Sequence, residues 1–239
     1  TQDETYIYIG NFGNNANGSR KDLKFYRVLK QAVADITGAT GTVAANNIDV
    51  INFSYPDQTT FCPVDFTCAS AANNTAFDCE AVIYDNGYLH LFTKDWVSSS
   101  QTVHYRVPAI PGTYTATRLE EFNTGGLLIT AATKIGNKVI ALLGYENPTT
   151  TLKKINSPQC KLWLIMGFTD MNHIFTTADK ITNVQLGTYI YFPIPPRPND
   201  GMGQQEAIAA VKDARILIAG ERFKYSISSP INASWDVPA

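Results

Sequence analysis

Between Asp78 and Arg106 the chain carries its clearest hydrophobic pattern. Residues 80–84 form a short apolar run and Asp85-Asn86-Gly87 breaks it. Residues 88–93 and 102–107 alternate apolar with polar, separated by a Ser-rich turn at residues 98–101. A period of two puts successive side chains on opposite faces of a strand. Asn-Gly supplies the two positive-φ positions of a tight hairpin. The segment therefore predicts a three-stranded antiparallel meander. Further strands are predicted over residues 5–9, 23–28, 47–55, 127–132, 139–143, 161–168, 181–186, 206–210 and 215–219. A single last strand of the central group is placed over residues 114–122, and residues 32–45 read as a loop or a short helix, with Gly38, Gly41 and the threonines arguing for loop.

The pattern repeats. Glu80-Ala81-Val82 opens one hairpin and Glu206-Ala207-Ile208 opens another, with a related pair at Leu128-Ile129-Thr130 and Lys138-Val139-Ile140-Ala141. The opening Tyr6-Ile7-Tyr8-Ile9 is matched to the later strand of such a pair, which leaves its earlier partner missing. Repeats of this strand content predict an all-β chain folded as a β-propeller, a single domain over 1–239 with blades near 1–57, 78–122, 125–186 and 203–239. A β-sandwich would explain the alternation, but not the repeated Glu-Ala before each hairpin.

Composition narrows the function classes. Charged residues are 17% and aromatics 11%, a balance that favours sheet, and the net charge is −2. No clustered Lys/Arg stripe is present, so no nucleic acid partner is predicted. The longest uncharged apolar run, residues 125–133, is too short to span a bilayer, so no transmembrane segment is predicted. The abrupt opening Thr-Gln-Asp-Glu-Thr reads as the start of a mature or trimmed chain. Of four cysteines, Cys62 and Cys68 flank five residues and suit a small disulfide-closed loop. Cys79 with Cys160 is the second candidate bridge, and the even count leans toward an oxidising compartment.

Candidate chemistry centres on Glu80 and Glu206. Equivalent by repeat, they are predicted to point to one end of a central channel, with Asp78 and Gln204 two residues earlier. Converging carboxylates there offer hard oxygen ligands for calcium, the one cofactor considered. The competing reading makes each Glu a tie between neighbouring blades, and the repeat itself favours that tie. His90 and His104 are read as cross-strand neighbours without a third metal ligand, and His173 stands apart. No Gly-x-Ser-x-Gly elbow occurs. Cys79 lacks a neighbouring base, because Glu80 points to the other face of the strand. With no complete catalytic set, the leading reading is a binding module for protein or glycan. A calcium-dependent hydrolase using Glu80 and Glu206 and a structural subunit of a larger assembly are the alternatives.

Several short pieces carry a resemblance. They are Tyr-Ile-Gly-Asn-Phe-Gly-Asn-Asn at 8–15, Arg20 with Asp22-Leu23 and Tyr26-Arg27-Val28, Asp78-Cys79-Glu80-Ala81, Leu91-Phe92-Thr93-Lys94, Tyr105-Arg106-Val107-Pro108, Pro111-Gly112-Thr113-Tyr114 and Gln205-Glu206-Ala207-Ile208. In these the chain resembles secreted β-propeller proteins of Bacteroidota, many of them similar to cargo of the type IX secretion system. More distantly it is similar to esterase-like phytase and SdiA-regulated propellers. The resemblance implies five or six blades in the complete protein, with further sequence before Thr1 and after Ala239. It also implies a secreted or cell-surface setting at the outer membrane of a Gram-negative bacterium, with secretion-system components among the partners.

Overall fold

The structure is a computed structural model that describes residues 1–15, 17–61, 75–98, 100–146, 159–188, 205–211, 215–220, 224–227 and 233–236. In chain order the strands are β1 (Tyr6–Asn11), β2 (Lys24–Leu29), β3 (Ile48–Ser54), β4 (Asp78–Asp85), β5 (Tyr88–Lys94), β6 (Gln101–Pro108), β7 (Gly112–Thr115) and β8 (Thr117–Asn123). They continue as β9 (Leu127–Ile135), β10 (Val139–Glu146), β11 (Gln159–Met166), β12 (Lys180–Thr188), β13 (Gln205–Val211), β14 (Arg215–Gly220), β15 (Lys224–Ile227) and β16 (Ala233–Asp236). A short α-helix among the described residues, α1 (Lys30–Ala34), overlaps the start of the segment read as loop or short helix.

Among the described residues, three sheets have four strands each. Sheet 1 has the order β1-β2-β3-β7, sheet 2 the order β4-β5-β6-β8, and sheet 3 the order β12-β11-β10-β9. β13 pairs with β14, here called sheet 4, and β15 pairs with β16. The predicted meander is present, and its turn residues Asn86 (φ 49°) and Gly87 (φ 85°) take the left-handed conformation that Asn-Gly tolerates.

Two expectations are corrected. β1 is an end strand of sheet 1, hydrogen-bonded to β2, so it stands where β4, β9 and β13 stand in their sheets rather than second in a pair. The sequence hid this because β1 lacks the Glu-Ala opening. The strand expected over residues 114–122 is two strands serving two sheets. β7 runs parallel to β3, pairing Ile51 with Gly112 and Phe53 with Tyr114, while β8 completes sheet 2 against β6.

The sheets stack face on face. Between sheets 1 and 2 lies an aromatic core that includes Tyr8, Phe12, Phe25, Phe53, Tyr55 and Tyr105. Between sheets 2 and 3, Ala81, Ile83 and Phe92 meet Ile129, Ile140 and Leu142. Between sheets 3 and 4, Ala131, Ala141 and Leu143 meet Ile208, Ile216 and Ile218. Four successive layers are not the two of a sandwich.

A shared irregularity explains the repeated Glu-Ala. On β4 the register steps from Cys79 opposite Thr93 to Ala81 opposite Phe92, so Glu80 is the extra residue of a β-bulge. On β13 the step from Gln205 to Ala207 makes Glu206 the extra residue. On β9 the step falls between Ile129 and Ala131, at Thr130. A bulge re-aims the side chains that follow it. The alanines that follow the bulges on β4 and β9, Ala81 and Ala131, turn toward the next sheet.

Candidate functional site

The end strands β1, β4, β9 and β13 share one cavity of about 520 Å³, within the usual range for ligand pockets. Ile7, residues 82–84, residues 132–134 and residues 208–210 line it, together with Thr1 and Gln2. The same part of each repeat is therefore presented to one space. Hydroxyls satisfy some of the strand-edge amides there. The Tyr84 N–H donates to Thr1 Oγ1 (3.0 Å) and the Ala210 N–H to Thr133 Oγ1 (3.1 Å). Lys134 forms an ion pair with Asp85 at this wall, and Tyr84 stacks on Tyr8 with ring centroids 5.5 Å apart.

The carboxylates singled out from sequence do not line this cavity; they precede the lining residues on β4 and β13. Asp78 is buried and its carboxylate accepts from the Asn14 N–H (2.7 Å), the Cys79 N–H (3.0 Å) and Trp96 Nε1 (2.9 Å). It pins the 12–15 loop of sheet 1 to the start of β4. Glu80 takes the Lys94 ammonium at 2.8 Å, and Lys94 is itself buried, lying over the rings of Trp96 (4.9 Å) and Tyr145 (5.1 Å). Glu80 is thus ion-paired within the fold. No group of three His, Cys, Asp or Glu side chains able to hold a metal occurs among the described residues. Glu206 is half-buried on β13, and Gln204 lies outside the described residues.

Cys62 and Cys68 also lie outside the described residues. The Cys79–Cys160 bridge is not formed, and both side chains are buried thiols. They belong to different cores: Cys79 lies between sheets 1 and 2, while Cys160 packs with Leu128 and Tyr145. Burial pushes the Cys79 thiol well above its ordinary range, which removes it further from nucleophilic chemistry.

Sequence reading placed His90 and His104 as neighbours but missed what they join. His90 Nδ1 lies 2.8 Å from His104 Nε2, and His104 Nδ1 faces Glu120 Oε1 at 3.6 Å. Glu120 accepts from the Phe175 N–H (2.9 Å), the Thr176 N–H (3.3 Å) and Thr176 Oγ1 (3.2 Å), so the row ends by clamping a turn of sheet 3 onto sheet 2. Burial lowers the His90 pKa to about 3, and burial also lowers that of His104 against the pull of Glu120. Burial pushes the Glu120 carboxyl up, but His104 and the two backbone amides outweigh it and hold the carboxyl below its usual range. The row is an internal tie of two neutral imidazoles ending on a carboxylate. His173 instead pairs with Asp170 at 2.6 Å on the surface.

No helix among the described residues is long and apolar enough to cross a membrane. No protein-family model and no curated protein sequence matches the chain. Among solved structures, Drosophila Semaphorin 2a is similar at 11% sequence identity with a TM-score of 0.35, the match covering 98% of this chain and 53% of that one. This chain thus spans about half the length of that structure, and a likeness at this level says nothing of residues or ligands.

Proposed function

We propose that the stacked sheets are blades of a β-propeller and that the chain is an interaction module receiving a protein or glycan partner at the cavity between its end strands. The observation that carries this reading is the cavity itself. Equivalent segments of four strands wall it with aliphatic side chains and hydroxyls. Asp78, Glu80 and Asp85 are meanwhile held by internal partners, which favours binding over calcium-assisted hydrolysis. The proposal includes a secreted or cell-surface setting, with type IX secretion as the route that the Bacteroidota resemblance implies.

Gln2 is exposed and lines the cavity, so Gln2→Trp fills the space without touching the cores between sheets. Panels of displayed peptides and arrayed glycans are screened with the natural chain and with this variant. Ligands retained by the first and lost by the second support the reading. Equal retention by both overturns it.

A further inference from the structure

Three consecutive residues of each of β4, β9 and β13 border the cavity: 82–84, 132–134 and 208–210. Side chains alternate between the two faces of a strand, so three in a row border one space only along the strand's edge. Among the described residues β4, β9 and β13 are end strands of their sheets, and no strand pairs along that edge. The wall is therefore largely main chain. The Tyr84 and Ala210 N–H groups point along it, where they meet the hydroxyls of Thr1 and Thr133. Residues two apart in a regular strand direct their N–H and C=O to the same side. Val82 and Ile208 thus present theirs at the same edges as Tyr84 and Ala210.

β1 illustrates what such an edge holds. Residues 1–3 run antiparallel along it. The Tyr8 N–H donates to the Thr1 carbonyl (2.9 Å), the Asp3 N–H donates to the Tyr6 carbonyl (3.0 Å), and Gln2 lies opposite Ile7. Thr1 and Gln2 belong to the cavity lining, and the Thr1 hydroxyl reaches across to Tyr84 on β4. A short extended stretch of chain already lies against one wall, fastened by its main chain.

The side chains of the wall suit other ligand classes less well. Lys134, its cationic side chain, is ion-paired with Asp85 and so is taken up where an anion would need it. Tyr84 is stacked on Tyr8, and its hydroxyl accepts from the Gly87 N–H (3.2 Å), so the ring does not stand open to a sugar face. Ile7, Val82 and Ile208 leave an aliphatic lining between the strand edges.

We propose that the partner at this cavity is an extended peptide segment with aliphatic side chains, bound as an added strand by main-chain hydrogen bonds to the open strand edges of the wall. This names the ligand class for the binding reading above and rests on it.

The test uses a degenerate library of acetylated, amidated tetrapeptides and a copy N-methylated at the two central residues. Adjacent residues direct their N–H groups to opposite edges of a strand, so the two methyl groups block both edges. Cellotetraose and maltotetraose are the glycan probes. Each is equilibrated with the natural protein and with Gln2→Trp. The unmethylated library is expected to be retained about tenfold or more over the methylated one, and Gln2→Trp to lose that retention. Hydrogen exchange should slow at the lining amides of β4, β9 or β13 and stay unchanged in β5. Equal retention of the two libraries overturns main-chain recognition but leaves the cavity a binding site. Retention of an oligosaccharide and of no peptide overturns the peptide class and also leaves the cavity a binding site. Peptides held equally by Gln2→Trp lie outside the cavity, and that result, or retention of no probe at all, overturns this inference together with the reading it rests on.

Discussion

Sheets 1 and 2 meet through aromatic rings and directed polar bonds, whereas sheets 3 and 4 meet through alanine, leucine and isoleucine. At the first joint Phe25 and Phe53 pack at 5.6 Å between centroids and Tyr55 and Tyr105 at 4.7 Å. Tyr105 also donates to Asp57 (2.8 Å), and Asp78 holds the loop above. At the last joint the Thr133 hydroxyl accepts from the Ala210 N–H. Aromatic pairs and buried hydrogen bonds have preferred geometries, while aliphatic burial is non-directional. The first joint therefore fixes one arrangement of two particular sheets. The last is a generic face that another sheet of the same make can meet.

The largest test of that contrast is truncation. Phe25→Ala is expected to cost about 3–5 kcal/mol in urea unfolding, because the ring is fully buried among others. Ile216→Ala at the partly covered last joint should cost about 1–2 kcal/mol. An equal cost for both would remove the distinction. Next comes Glu80→Gln, which leaves the buried Lys94 ammonium without its carboxylate and should cost about 2 kcal/mol. The added change Lys94→Met should recover most of that loss. Calcium titration should leave both melting curves unmoved, and a calcium-dependent rise in the natural protein would restore the metal reading. Tyr105→Phe, which removes a hydroxyl bond to a half-exposed carboxylate, should cost about 1 kcal/mol.

The smallest effect is in the pH profile. His90 and His104 are held neutral in the fold, so the unfolded chain takes up protons first as pH falls below the ordinary histidine value of 6.5. Stability is lost from there down toward about 3 for His90. Glu120 acts in the same direction, since its stabilising charge is lost as pH falls through its lowered value. His90→Asn should flatten the slope of unfolding free energy between pH 6.5 and about 4. A slope unchanged by the substitution would mean that these side chains are not the titrating tie.

Much of the fold was legible because local chemistry and tertiary role agree. Asn86-Gly87 marks a turn by conformation alone, and the alternating runs give β5 and β6 closely. The Glu-Ala repeat was visible too, but its meaning was not. A bulge is defined by the partner strand, so nothing in the sequence of β4 shows that Glu80 is the unpaired residue. Lys94 and Glu120 were missed for the same reason. One meets Glu80 from 14 positions away, and the other meets His104 and a turn 55 residues on. The split of residues 112–123 between two sheets left no composition signal, because Gly112-Thr113-Tyr114-Thr115 reads as ordinary strand in either.

β7 makes the apparent module boundary unusable. Repeat logic would cut the chain in the stretch between Tyr55 and Asp78, yet residues 112–115 reach back to hydrogen-bond with 51–54. Backbone cleavage in that stretch would leave two pieces still laced through a parallel ladder. Gene shuffling at the same point would hand each recipient a sheet with a strand missing. The unit that evolution could duplicate or exchange here is the pair, not the single sheet.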